Sequence, residues 1–221
     1  MRIQKLVLQT TDLQRQYSFY IEKFNFQVVT ADQDHFSFSA GASLVEFRAY
    51  SGKDIFPYHL AFTIPAGQLI KAADYLAAKG INLVKMGNQT IFQFESWNAT
   101  SLYFRDPDEN ILELIVRFNL GLKNGSVHFS PSDIIQVSEI GIVADDPQAF
   151  SSYITEQSSL PVWKMAGNDF IAMGDEEGLL IVVQKNRNWY PTDTPARAMP
   201  VYIHSPAFNR SIQADPYLFA P

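Results

Sequence analysis

The sequence predicts an α+β protein built from one β-α-β-β-β unit written three times. Three observations carry that expectation. Short runs with strand-like alternation frame a single helix-like stretch in each copy. The copies keep their internal spacing to within a residue, as a duplicated structural unit does. The chain has 221 residues, 47% of them hydrophobic and 18% charged, which suits a globular protein of one ordinary domain and part of another.

In the first copy, residues 3–9 alternate, with Gln4, Leu6 and Leu8 facing one way and Lys5, Val7 and Gln9 the other. Asp12 is placed to cap a helix whose Leu13, Tyr17, Tyr20 and Phe24 recur at the spacing of one buried face. Strands follow at 26–29, 35–40 and 43–49, with Gly41 turning the last pair. The second copy opens with a strand at 58–64 and a helix that starts at Pro65, runs through Leu69, Ala73 and Leu76, and stops at Gly80. Its strands are expected at 81–84, 91–95, 101–105 and 111–116. The third copy opens at 134–143, with Asp146 and Pro147 starting its helix, and continues through VWKM, DFIAM and GLLIVVQ.

The offsets test the repetition. Lys5 and His59 open their strands 54 residues apart, and Glu139 follows His59 by 80. Residues 119–133, rich in Gly, Asn, Ser and Pro, read as a linker between a paired domain at 1–118 and a third unit with its tail at 134–221. Residues 185–200 read as an irregular loop, VYIHS as an edge strand, and the final ten residues as a poorly specified tail.

Composition narrows the function. Acidic residues outnumber basic ones, 23 to 17, so the net charge of −6 argues against a nucleic-acid partner. No run is long and apolar enough for a bilayer span, and the first residues lack a signal-like apolar core, so the expectation is a cytoplasmic protein with no membrane partner. With no cysteine, disulfides, thiolate metal sites and cysteine nucleophiles are excluded. Phosphate loops, H-E-x-x-H and G-x-S-x-G are absent.

The repeated unit, together with FRDPDENILELI at 104–115, resembles the vicinal oxygen chelate superfamily, which includes glyoxalase I, extradiol dioxygenases and the fosfomycin- and bleomycin-resistance proteins. Residues 3–117 carry the resemblance; the third copy shows it only as a pattern. Family members usually have Gly where this chain has Glu109, and Asn110 is expected to take the left-handed turn conformation instead. The resemblance implies a glyoxalase-like domain of curved mixed sheets, in which the first two units enclose a cleft. It also implies metal ligands on the opening and last strands of each unit, at positions that correspond to Lys5, Glu46, His59 and Glu113.

Alternation agrees with that placement. Glu46 shares a face with Leu44 and Arg48, and Glu113 shares one with Ile111 and Ile115. Carboxylates inside strands need a cation or a proton, and one imidazole with two carboxylates suits a divalent iron, manganese, nickel or zinc ion. No organic cofactor is implied. Lys5 departs from the pattern, because an ammonium does not ligate. Two arrangements satisfy the same positions: Glu46, His59 and Glu113 hold a metal, or Lys5 takes the metal's place and neutralises Glu46 and Glu113.

Around that centre, Tyr103 sits where fosfomycin-resistance proteins place a substrate-contacting tyrosine. Arg105 shares its face, Trp97 and Asn98 precede its strand, and Arg48 is a candidate for an anionic group. Each also has an ordinary use: core packing for Trp97 and Tyr103, a solvated strand charge for Lys5 and Arg48. Glu113 and Tyr103 are the candidate catalytic residues, with Lys5, Arg48, Trp97, Asn98, Tyr103 and Arg105 as substrate contacts. The third copy's last strand has no carboxylate or imidazole to accompany Glu139, so no separate metal site is expected there. An unpaired third unit would expose an apolar sheet, which the first domain, the 200–221 tail or its counterpart in a second chain would cover; a homodimer is the economical answer.

The expected function is that of a glyoxalase- or dioxygenase-like enzyme (lyase, isomerase or ring-cleaving dioxygenase) acting on a small oxygenated, aromatic molecule. The alternative is a non-catalytic binder of the bleomycin-resistance kind.

Overall fold

The computed structural model describes residues 1–122 and 125–221. The first unit comprises β1 (Lys5–Thr10), α1 (Leu13–Tyr17), β2 (Gln27–Ala31), β3 (His35–Ala40) and β4 (Ser43–Ala49). Asp12 caps α1 by accepting from the Arg15 amide, and the helix widens into a π-turn at Ser18–Lys23 that buries Tyr20. The second unit comprises β5 (His59–Thr63), α2 (Leu69–Ala78), β6 (Ile91–Phe94), β7 (Ala99–Arg105) and β8 (Ile111–Arg117). The third comprises β9 (Gln136–Ala144), α3 (Pro147–Ser158), β10 (Val162–Met165), β11 (Phe170–Asp175) and β12 (Gly178–Gln184), with Asp146 capping α3 as expected.

In each unit the last strand pairs in parallel with the opening one: β4 with β1, β8 with β5 and β12 with β9. Residues 81–84 form no strand; Leu83 bridges Phe104 and the segment runs beside β7.

The sheets assemble differently from the expected domain division. The second unit takes the third as its sheet partner, with β5 antiparallel to β9, giving an eight-stranded sheet in the order β10-β11-β12-β9-β5-β8-β7-β6. The first unit pairs with the chain's end. There β13 (Val201–His204) lies antiparallel to β1, and β14 (Ile212–Ala214) and β15 (Tyr217–Ala220) complete a seven-stranded sheet in the order β14-β15-β13-β1-β4-β3-β2. The tail is therefore ordered strand, with Ile212, Tyr217 and Phe219 buried. Its pairing copies a unit without a helix: β15 is parallel to β13, and β14 is antiparallel to β15. Because β9 already has β5 as partner, the reason for expecting a second chain falls away.

The expected 119–133 linker includes 123 and 124, which lie outside the described residues. Of the remainder, Phe129 is buried against Tyr75 of α2 and the Ser126 carbonyl accepts from Gln68 and Lys71, so this stretch straps across α2.

Alternation divides the second sheet into two apolar faces. Leu60, Phe62, Leu112, Leu114, Ile140, Leu180 and Val182 enter the main core with the helices and with Leu6, Leu8, Val45 and Phe47 of the first sheet. Tyr103, Ile111, Leu179, Ile181 and Val183 line the opposite, concave face. Burial on both sides explains the near-continuous apolar runs of β8, β9 and β12.

Candidate metal centre

His59 opens β5, and Glu113 follows in β8, where it pairs with Ala61 two residues along. Ala61 also faces Glu139 across the antiparallel β9. A bulge after Ala61 makes Ser138 the extra residue of β9, so that Ser138 and Glu139 both serve the concave face while Val137 and Ile140 remain in the main core. The result is a buried cluster. His59 Nε2 lies 3.5 Å from Glu113 Oε2 and 3.4 Å from Glu139 Oε2, and one ligand atom from each residue falls within 4.8 Å of the others.

Each carboxylate is also held from behind. The Ser101 hydroxyl donates to Glu113 Oε1. Arg117, on the same β8 face as Glu113, donates through Nη2 to Glu139 Oε1 and through Nε to the Ser138 hydroxyl at 3.1 Å. Its guanidinium carbon lies 5.6 Å from the Trp97 ring and 5.7 Å from the Trp163 ring, and its remaining nitrogen, Nη1, has no hydrogen-bond partner among the described residues.

Burial and neighbouring charge set the protonation. Burial pushes the Glu113 carboxyl up, and the Glu139 charge adds to that, to about 7. Burial would also raise Glu139, but the Arg117 guanidinium and the hydrogen bond with His59 outweigh it and hold it below the usual range. Burial alone would lower His59; the Glu139 contact and both carboxylate charges raise it above its ordinary value. Burial first, and then the Glu113 charge, keeps the Tyr103 phenol protonated as a donor.

The cluster forms the floor of a cavity of about 220 Å³ walled by Phe94, Trp97, Tyr103, Phe170, Trp189 and Tyr190, with Ile181 beside the carboxylates. A cavity of ~150 Å³ holds a benzene, so the space suits one substituted ring. Arg187 stands at its edge, paired with Asp169 at 3.1 Å. Trp189 approaches closely because Gly141 has no side chain: a Cβ there would meet the indole at 2.5 Å.

The predicted site residues separate into three groups. His59, Glu113, Tyr103 and Trp97 come together around this cavity. Lys5 and Glu46 form a 2.7 Å ion pair on the first sheet, where Arg48 also binds Glu46 at 2.5 Å. Glu46 is therefore not part of the buried cluster, where Glu139 stands instead. Asn98 adopts a left-handed conformation and bonds Asn119, while Arg105 reaches Thr194 and Glu109; neither lines the cavity. The left-handed residue of the 106–110 turn is Glu109, at φ 63°, and the Asn110 side chain instead bridges Asp106 and the Tyr58 amide.

Glu139 has no partner within its own unit, where Ile181 stands at the position a second carboxylate would take. The 80-residue offset from His59 was the signal that marked it. Trp189 and Tyr190 lie in the loop read as irregular and had no periodicity to reveal them.

Comparison with known proteins agrees with this architecture. The family model of the Glyoxalase/Bleomycin resistance protein/Dioxygenase superfamily matches residues 2–114, just over half of the chain. The chain belongs to that superfamily. The match ends within β8, so the superfamily pattern in sequence covers the first two units, and the third is recognised from its strands and helix. A "putative dioxygenase" from Bacillus subtilis has the same fold, at TM-score 0.62 and 14% identity over 93% of this chain and 70% of that one. A lactoylglutathione lyase from Agrobacterium tumefaciens aligns over 54% of this chain and 96% of its own, at TM-score 0.46 and 16% identity. A superfamily protein from Nocardioides aligns over 58% and 89%, at TM-score 0.43 and 18% identity. Among curated proteins nothing matches. No helix among the described residues is long and apolar enough to cross a membrane.

The cluster fits the divalent ion common in this superfamily. Two donor atoms of a tetrahedral site with bonds of ~2.1 Å are separated by ~3.4 Å, and the observed separations from His59 Nε2 are 3.4 and 3.5 Å. An imidazole and two carboxylates, buried together with a donor atom of each within 4.8 Å of the others, are a donor set such an ion takes.

Proposed function

We propose that the protein is a metal-dependent enzyme acting on a small oxygenated aromatic molecule held in the cavity between the second and third units. The observation that carries this reading is the convergence of His59, Glu113 and Glu139 at the floor of an aromatic-walled pocket. When bound, a divalent ion would supply Lewis-acid polarisation of an oxygen pair on the ligand. The chain supplies the rest. Phe94, Trp97, Phe170 and Trp189 orient a planar ring and exclude water. The Tyr103 hydroxyl donates to a ligand oxygen. Glu113, the carboxylate beside the ligand, accepts a proton released from it.

A second reading rests on a specific feature. His59 between two carboxylates, with Arg117 behind one of them, neutralises the cluster without any ion. The cavity then binds a ligand and transforms nothing. Lys5 plays no part in this, since it lies on the other sheet.

Elemental analysis separates the two. The enzyme reading expects about one equivalent of metal in the purified or reloaded protein, lost in His59→Ala. Protein that takes up no metal under any loading condition, yet binds aromatic ligands, would establish the binder.

A further inference from the structure

We propose that Arg117 and Ser101 are positioning residues that each occupy one oxygen of a ligand carboxylate, so that Glu139 and Glu113 present a single oxygen each to an ion. This rests on the metal reading of the cluster. In both carboxylates Oε1 accepts from a buried side chain and Oε2 is the atom that faces His59 Nε2. A carboxylate with both oxygens free can bind an ion through two atoms and fill a position a substrate needs. With Oε1 engaged, the three residues contribute three donor atoms, and the remaining positions stay open toward the cavity.

Charge points the same way. Two imidazoles and one carboxylate make a common open site with one negative charge. Here Glu139 replaces a neutral donor and adds a second negative charge. Arg117 offsets it from within the protein: it is buried, fixed by Ser138 at the β9 bulge and covered by Trp97 and Trp163. The bulge, which places Ser138 and Glu139 side by side, and the arginine that grips both form one device. Trp97 thus has a role beyond lining the pocket: it roofs the guanidinium.

The test uses full-length protein stripped of metal and titrated with Mn2+ and Co2+, with circular dichroism to check folding. Arg117→Lys keeps the charge but cannot fork to both partners, and loss of such an outer contact is expected to weaken binding roughly 10–100-fold. Ser101→Ala, which changes little volume, is expected to lower the visible absorption of bound Co2+, as the freed Glu113 oxygen joins the ion. Arg117→Met is likewise expected to lower the visible absorption of bound Co2+, as the freed Glu139 oxygen joins the ion. A purely structural arginine would leave the spectrum of the bound ion unchanged.

Variants that bind both ions within about threefold of wild type, with an unchanged Co2+ spectrum, overturn this inference while leaving the metal site standing. A wild-type protein that takes up neither ion removes the metal reading and this inference together.

Discussion

The two sheets share one frame and differ in what fills it. On the first, Val7 is flanked by Glu46 on one side and Tyr202 on the other, with Lys5 two residues earlier. On the second, Ala61 is flanked by Glu113 and Glu139, with His59 two residues earlier. Opposite Lys5 stands His204, and Gly141 occupies the matching part of β9, where it admits Trp189. The strand pairing alone therefore does not make a binding site. An ammonium in the opening position satisfies its carboxylate internally, whereas an imidazole with a third donor from the partner strand gathers the donor atoms that could hold a metal ion.

The comparison breaks most visibly at the carboxylates. Glu139→Ala strands the buried Arg117 charge and is expected to cost ~3–5 kcal/mol, whereas Glu46→Ala leaves Lys5 and Arg48 partly exposed to water and should cost about 1 kcal/mol or less. Chemical denaturation of both variants measures the contrast, and equal losses would mean that the two sheets are energetically alike. Gly141→Ala sets a methyl against Trp189, at a cost of ~1–3 kcal/mol for overpacking. A shift in indole fluorescence, along with the lower melting temperature, would report the displaced ring.

Acid response sharpens the contrast by its sign. Burial opposes ionisation of Glu46, but hydrogen bonds from Lys5 and Arg48 overcome it and hold its carboxyl below the usual range. Its contribution is present above the unfolded value of ~4.3 and fades as pH falls through the folded one. In metal-stripped protein Glu113 acts in reverse. With a folded value of about 7, it favours the native state below ~4.3 and loses that contribution as pH rises toward 7. Stability curves of Glu46→Gln should therefore flatten at the acid end, and those of Glu113→Gln between pH ~4 and 7. If both variants keep the wild-type slope, the charge environments described above are wrong.

The smallest effect concerns matching turns. The first unit turns from β3 to β4 on Gly41, at φ 60°, and the second turns from β7 to β8 with Glu109 in the same left-handed region. Glu109→Gly relieves a conformation that costs a side-chain residue about 1 kcal/mol, so a slightly higher midpoint of thermal unfolding is expected.

Much of this frame was legible in the chain. Alternation placed Glu113 on the face opposite Leu112 and Leu114, and the structure keeps them apart. The offsets found the repeated unit, and Asp12, Pro147 and Gly80 marked helix ends through local capping chemistry. What could not be read was which opening strand pairs with which. β1, β5, β9 and β13 each present a free edge of similar composition, and local periodicity holds no information about partners far away in sequence. That one ambiguity moved Glu46 into the site and Glu139 out of it. The C-terminal strands escaped for another reason: runs of three and four residues, broken by Asp215 and Pro216, are too short to show a period.

The stretch from Lys185 to Pro200 continues from the end of β12, lays Trp189 and Tyr190 along the aromatic cavity, and delivers the backbone to β13 beside β1. A single tether thus closes one compartment and completes the other half of the molecule. A nick within it would release both ends at once, so the halves should melt as one cooperative body, and a guest lodged against the indole should brace a sheet that it never touches.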